Sequence, residues 1–408
     1  MGSYAYRLAS MLGRAGHQVV ILAGPSDGPE FPQPRVTVHR LAAQYHPELP
    51  LSILRWAYWH GVAPLLDRAN PLVWHWLRWD LASRDALLAI DRQTPLDVVE
   101  APEHAGNGLF VGMAKRWPTV LRLHGPWDLF FGLNRNQGAA LNCLMADIER
   151  RSARYAQVIT TPSRAMAKLM LRRWDLKQRP VVVPNFVDVP LERPKLAENP
   201  SEPRIVCAGR IEPFKGQDVL VKAFGLIGHR HPRARLVLIG PDQWGRKRRF
   251  AEVIEELVPE ESTRARIELM GPLPLEQTQA ELSQAAVAVV PSRGFESFSF
   301  STLEAMALGR PTIVSRTGAM PELVDYGRCG RIVPAGDAVA LANELEQLLS
   351  NGTLCQKLGM AAYERALREY DTAAVLPKIL ETYERAIAAS PRQLESGRKA
   401  FTVGCQLR

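Results

Sequence analysis

The 408-residue chain has no run of ~18 consecutive apolar residues, so nothing in it reads as an ordinary membrane span. Its opening, Met1-Gly2-Ser3-Tyr4-Ala5-Tyr6-Arg7, lacks the apolar core of a secretory signal. The five cysteines stand far apart, at positions 143, 207, 329, 355 and 405, with no Cys-x-x-Cys pair. That spacing argues against a disulfide framework and a zinc ribbon, and suits a reducing, cytoplasmic setting. Hydrophobic residues make up 46% and charged residues 23%, which excludes disordered and fibrous classes.

What is present is uneven charge on a regular α/β pattern. The net charge is +9. Residues 1–190 hold 22 Lys+Arg against 15 Asp+Glu (+7), and residues 191–408 hold 29 against 27 (+2). A cationic first half points to an anionic partner: a phosphorylated substrate, a membrane face or nucleic acid. The basic run Arg246-Lys247-Arg248-Arg249 reads as a solvated helix face. Without stacking aromatics or a reader fold, a nucleic-acid partner is not expected.

Short β-branched runs alternate with helical stretches throughout. Examples are Val19-Val20-Ile21-Leu22, Asp97-Val98-Val99-Glu100, Arg204-Ile205-Val206-Cys207-Ala208 and Val287-Ala288-Val289-Val290. Continuous apolar strands belong in parallel sheets covered on both faces, which gives an α/β doubly wound architecture. Four prolines between Pro190 and Pro203 mark a linker. The expected organisation is two Rossmann-like domains facing a cleft, over residues 1–190 and 204–370. A helix over 371–390 follows, then a flexible tail over 391–408. Within the first domain, residues 44–95 read as an insertion that carries five of the nine tryptophans, interleaved with arginines. It suits either a helical subdomain or an acceptor or membrane-interface surface.

A doubly wound domain should open on a central strand and a Gly-rich turn. This chain opens at the turn, Gly2-Ser3, and then runs into a helix with Leu8, Met11 and Leu12 on one face. The expected first strand is absent from the start of the sequence.

The most informative segment runs from Pro291 to Pro311. It leaves a buried strand, turns at Ser292-Arg293-Gly294-Phe295-Glu296, and enters a helix near Ser299 that closes at Gly309. Free amides at that start, on Ser299 and Phe300, suit a diphosphate. Glu304 slants back toward the same end, where a carboxylate accepts ribose hydroxyls. Taken singly, Glu296 and Glu304 also fit a capping carboxylate and a solvated helix residue.

Glu296 and Glu304 together resemble the Glu-x7-Glu signature of the retaining family 4 glycosyltransferases, of GT-B fold. Other stretches agree in order. Gly209-Arg210 with Lys215-Gly216 is similar to the family's Gly-Arg…Lys-Gly element. Leu123-His124-Gly125 is similar to its His-Gly, Pro184-Asn185-Phe186-Val187-Asp188 to its Pro-Asn-Gly-Val-Asp, and Gly2-Ser3-Tyr4 to the tail of its Gly-Gly loop. The chain departs from the pattern at Phe186 and Ser299, where the family often has glycine, and retains only Gly2 of the paired glycines.

The resemblance implies transfer of a hexose from a nucleoside-diphosphate sugar to a hydroxyl of a glycan or lipid-linked acceptor, by a front-face reaction that retains configuration. It implies catalytic roles for His124 and Glu296 at the sugar, and donor binding by Gly2, Arg210, Lys215, Ser299, Phe300 and Glu304. No metal or other cofactor is expected. The sequence has no Asp-x-Asp clamp, and Arg210 and Lys215 take the diphosphate charge. The donor is UDP- or GDP-linked, and the +7 half allows peripheral contact with an anionic inner membrane face. Two rival readings keep the fold: a nucleotide-sugar epimerase, and a start-truncated nucleotide binder that does not catalyse.

Overall fold

The computed structural model describes residues 2–24, 34–41, 71–130, 139–192, 201–245, 248–390 and 402–407. The chain divides into two compact units, Met1–Pro184 with Leu376–Arg408, and Asn185–Val375. The second begins at Asn185, ahead of the proline-rich stretch expected to separate the halves. The division back falls inside the helix Thr372–Ala388.

In the first unit, the helix Gly2–Arg14 buries Leu8, Met11 and Leu12, as their spacing requires. Six strands follow: β1 (Gln18–Ala23), β2 (Val36–Arg40), β3 (Val98–Pro102), β4 (Thr119–Arg122), β5 (Val158–Thr161) and β6 (Val181–Val182). Every described residue of β3, β4 and β5 is buried, the mark of a parallel sheet covered on both faces. The helix Pro71–Gln93 packs Leu77 and Leu81 against Leu109, Phe110 and Trp127. It carries Trp74, Trp76 and Trp79 of the tryptophan-rich insertion, whose residues 44–70 lie outside the described residues.

The second unit has six strands: β7 (Arg204–Ala208), β8 (Arg235–Ile239), β9 (Ile267–Gly271), β10 (Ala285–Val290), β11 (Thr312–Ser315) and β12 (Arg331–Val333). Their order is β12-β11-β10-β7-β8-β9, all parallel. Leu238 and Val289 face the helices Gln217–Ile227 and Ala338–Leu349 on one side. Val237 and Ala288 face Leu282 and Ala305 on the other. Arg248 and Arg249 precede the helix Phe250–Leu257, so the described part of the basic run does not form a helix face.

The last element corrects two expectations. Residues Thr402–Leu407, expected within a flexible tail, form a strand, β13. It lies between β1 and β3, giving the first sheet the order β2-β1-β13-β3-β4-β5-β6. Val403 stands beside Val19 on one side and Val98 on the other, and Cys405 stands between Ile21 and Glu100, all parallel. The central place that the start of the sequence leaves empty is therefore filled from the C-terminal end. An empty slot would leave facing rows of unpaired N–H and C=O groups on β1 and β3, and a strand inserted there satisfies both.

Candidate active site

Parallel doubly wound sheets present ligands at the carboxyl ends of their strands. In the second unit, three such loops close on one another. After β7 the chain turns through Gly209–Gly216, and the Gln217 side chain braces that turn. Its amide donates to the Arg210 carbonyl at 2.8 Å and accepts from the Glu212 N–H at 3.4 Å. Gln217 is 1% exposed. The Arg210 guanidinium remains half exposed and pairs with Glu212 at 3.0 Å.

After β10 the chain forms the loop from Pro291 to Ser299. Glu296 is 4% exposed there, with Oε1 accepting from Lys215 Nζ at 2.7 Å and from Ser292 Oγ at 2.6 Å. The loop after β11 backs this carboxylate: the Ala319 N–H donates to the Glu296 carbonyl at 2.8 Å. Gly318 sits beside it at φ +52°, where a Cβ would fall 2.1 Å from the Glu296 carbonyl oxygen. A side chain there would meet both backbone strain and a collision.

The helix expected from Ser299 runs Phe300–Ala307 with Ser299 as its N-cap, whose Oγ accepts the Thr302 N–H at 3.2 Å. Serine at this family-variant position thus caps the helix. Ser301 Oγ donates to the Ala208 carbonyl at 2.7 Å, tying the helix start to the end of β7. Glu304 lies one turn on, 8% exposed. Lys215, Glu296 and Ser299 on adjoining loops, with Phe300 and Glu304 in the first turns of the helix that follows, therefore sit at one end of this sheet.

In the first unit, Gly2 opens the first helix, and Tyr4 from that helix meets His124 edge to face, ring centroids 5.0 Å apart. His124 follows the end of β4. Burial, with the nearby Arg122 guanidinium adding, holds its imidazole well below the ordinary histidine range, so it is neutral at pH 7. Arg122 is itself buried and stacks over the Tyr4 ring at 4.6 Å.

Three buried carboxylates that sequence reasoning missed fix the loops beyond β3 and β4. Glu103 Oε1 accepts the His124 N–H at 2.7 Å and also the Gly125 N–H. Glu149 accepts from Ala105 and Trp127, both at 2.8 Å. Asp80 accepts from Gly108 at 2.8 Å and Phe110 at 2.7 Å. The one local signal was Pro102-Glu103 directly after a buried strand; Asp80 and Glu149 look like ordinary helix acids. No group of three or more His, Cys, Asp or Glu suited to a metal occurs among the described residues.

Comparison with known proteins agrees with this geometry. Residues 1–185 match the glycosyl transferase 4-like domain, and residues 202–351 match the glycosyl transferases group 1 domain. The MMP alpha-(1->4)-mannosyltransferase of Mycolicibacterium hassiacum is 26% identical over 95% of each chain. The phosphatidyl-myo-inositol mannosyltransferase of Mycobacterium leprae is 32% identical over 53% of this chain and 57% of its own. The D-inositol 3-phosphate glycosyltransferase of Corynebacterium efficiens is 31% identical over 48% and 46%. These last two matches span about half of each relative. Among solved structures, sucrose-phosphate synthase from Thermosynechococcus elongatus superposes with a TM-score of 0.72 at 23% identity, over 95% of this chain and 94% of that one. HepE of Anabaena, solved with UDP, superposes with a TM-score of 0.63 at 17% identity, over 90% and 99%.

Proposed function

The chain is a glycosyltransferase, with a glycosyl transferase 4-like domain followed by a group 1 domain, and from that premise we propose a retaining hexosyl transfer from a nucleoside-diphosphate sugar to a glycolipid or glycan hydroxyl. The observation that carries the reading is the Lys215–Glu296 contact beside the Ser299-capped helix. It sets a cation, a carboxylate and a helix N-terminus at one strand end. Arg210, Lys215 and the amides at Ser299 and Phe300 take the diphosphate and stabilise the charge that develops as the sugar–phosphate bond breaks. Glu304 accepts the ribose hydroxyls and Glu296 holds the hydroxyls of the sugar, and His124, the histidine of the family's His-Gly element, acts on the sugar as a neutral imidazole. The departing phosphate takes the acceptor's proton, so no protein base is required.

No divalent ion is needed in this scheme, because two side-chain cations and helix amides supply the positive charge. The activities of the relatives favour mannose as the sugar and an inositol phosphate or its lipid as the acceptor. No helix among the described residues is long and apolar enough to cross a membrane. The +7 first half suits contact with an anionic lipid surface that would present such an acceptor.

The test is a donor screen by thermal shift across UDP-, GDP- and ADP-sugars, followed by transfer to D-inositol 3-phosphate with and without EDTA. Stabilisation by one donor class, with EDTA-resistant product of retained anomeric configuration, is the expected result. Sugar isomerised from donor alone would instead mean an epimerase.

A further inference from the structure

Glu103 is a buried carboxylate that the roles above leave unused. It is 0% exposed at the end of β3. Its own N–H donates to the Arg122 carbonyl at 3.1 Å, and its Oε1 receives the N–H groups of His124 and Gly125. Glu103 thus grips the end of β4 on both sides of His124. Its Oε2 accepts no hydrogen bond among the described residues. A buried carboxylate oxygen without a partner is costly, so a residue kept there for packing alone would be better replaced by an apolar one. The other two clamps differ on this point. Glu149 uses both oxygens on the amides of Ala105 and Trp127, and Asp80 uses both on those of Gly108 and Phe110.

We propose that Glu103 is a positioning residue for the transfer reaction: it sets the His124–Gly125 turn through two amide hydrogen bonds and so fixes the placement of the imidazole. This rests on the glycosyl-transfer reading. The role is geometric. Oε1 must lie within hydrogen-bond reach of two successive amides, and the Tyr4 ring then limits the imidazole from the other side. Displacing a positioned group by about 1 Å can cost on the order of 100-fold in rate. The cost should fall on kcat, because the proposed donor contacts do not include His124.

The experiment compares Glu103→Gln, Glu103→Asp and Asp80→Asn in steady-state transfer and in donor binding by calorimetry. Glu103→Gln keeps an acceptor oxygen at the Oε1 position and should retain kcat within a few-fold. Glu103→Asp keeps the charge but is one methylene short, and should lose roughly 10- to 100-fold in kcat while donor Kd stays within about threefold. Asp80→Asn, a change to the clamp on Gly108 and Phe110, should lower Tm without that kcat loss. In a His124→Ala background, Glu103→Asp should cost no further activity.

The proposal is overturned if Glu103→Asp keeps parental kcat, if Glu103→Gln loses as much as Glu103→Asp, or if Asp80→Asn reproduces the same loss. A further cost of Glu103→Asp in the His124→Ala background would also overturn it. A parent protein that binds no nucleotide sugar and transfers none would instead sink the glycosyl-transfer reading of this site.

Discussion

Lys215 Nζ lies 2.7 Å from Glu296 Oε1, an ion pair between the loop after β7 and the loop after β10. The pair joins the residue proposed for the diphosphate to the residue proposed for the sugar. Ser292 Oγ shares the same carboxylate oxygen at 2.6 Å, so the carboxylate keeps a hydrogen bond if the lysine turns to a phosphate. A hydrogen bond to a charged group contributes about 1.5–3 kcal/mol.

Lys215→Ala and Glu304→Ala should therefore each weaken donor binding by about 10-fold or more, as measured by calorimetry with the donor found in the screen. Glu296→Gln should reduce kcat more than donor affinity. Parental affinity in both Lys215→Ala and Glu304→Ala would remove the donor site from this end of the sheet.

Gly318→Ala should displace Glu296. The added Cβ meets the Glu296 carbonyl oxygen at 2.1 Å and the backbone is left-handed at φ +52°. A strained residue of this kind costs of order 1–3 kcal/mol. The expected signature is a lower Tm together with a kcat loss, read by differential scanning calorimetry and transfer assay.

Removing residues 391–408 should destabilise the first unit selectively. The truncation takes away β13, which pairs with β1 on one side and β3 on the other. The exposed edges would then invite association. Hydrogen exchange should show faster exchange at Val19–Leu22 and Val98–Glu100, with the second sheet protected as before. Unchanged protection of β1 and β3 would contradict the central placement of β13.

Burial pushes the Glu103 carboxyl up from 4.5 to about 7. A raised carboxyl pKa means that the folded state binds the proton more tightly than the unfolded state does. Its contribution to stability is complete below about pH 4.5 and is lost as pH rises through about 7, a difference of order 3 kcal/mol. Urea unfolding of the parent and of Glu103→Gln from pH 4 to 8 should show the parent losing stability relative to the variant over that window.

Much of the second unit was legible locally. The run from Ala285 to Gly309 holds strand, turn, cap and helix in one continuous stretch, and Ser299 caps the helix where its position in the sequence placed it. Gln217 was not legible, because its role depends on which carbonyl folds back over it. Glu103, Glu149 and Asp80 escaped notice for the same reason: each clamps amides at least 21 positions away in sequence.

By itself, the sequence determined that parallel α/β units would form, because apolar β-branched runs alternating with amphipathic helices can bury both faces of a sheet in few other ways. It also set Glu296, the Ser299 cap and the helix that follows in one continuous stretch. Only the tertiary structure decided what fills the centre of the first sheet. Parallel pairing reads backbone groups rather than side-chain identity, so a strand from position 402 can occupy a place that the start of the chain leaves open. Tertiary structure likewise decided how His124 is held, since a carboxylate on β3 reaches its amide only once β3 and β4 lie side by side.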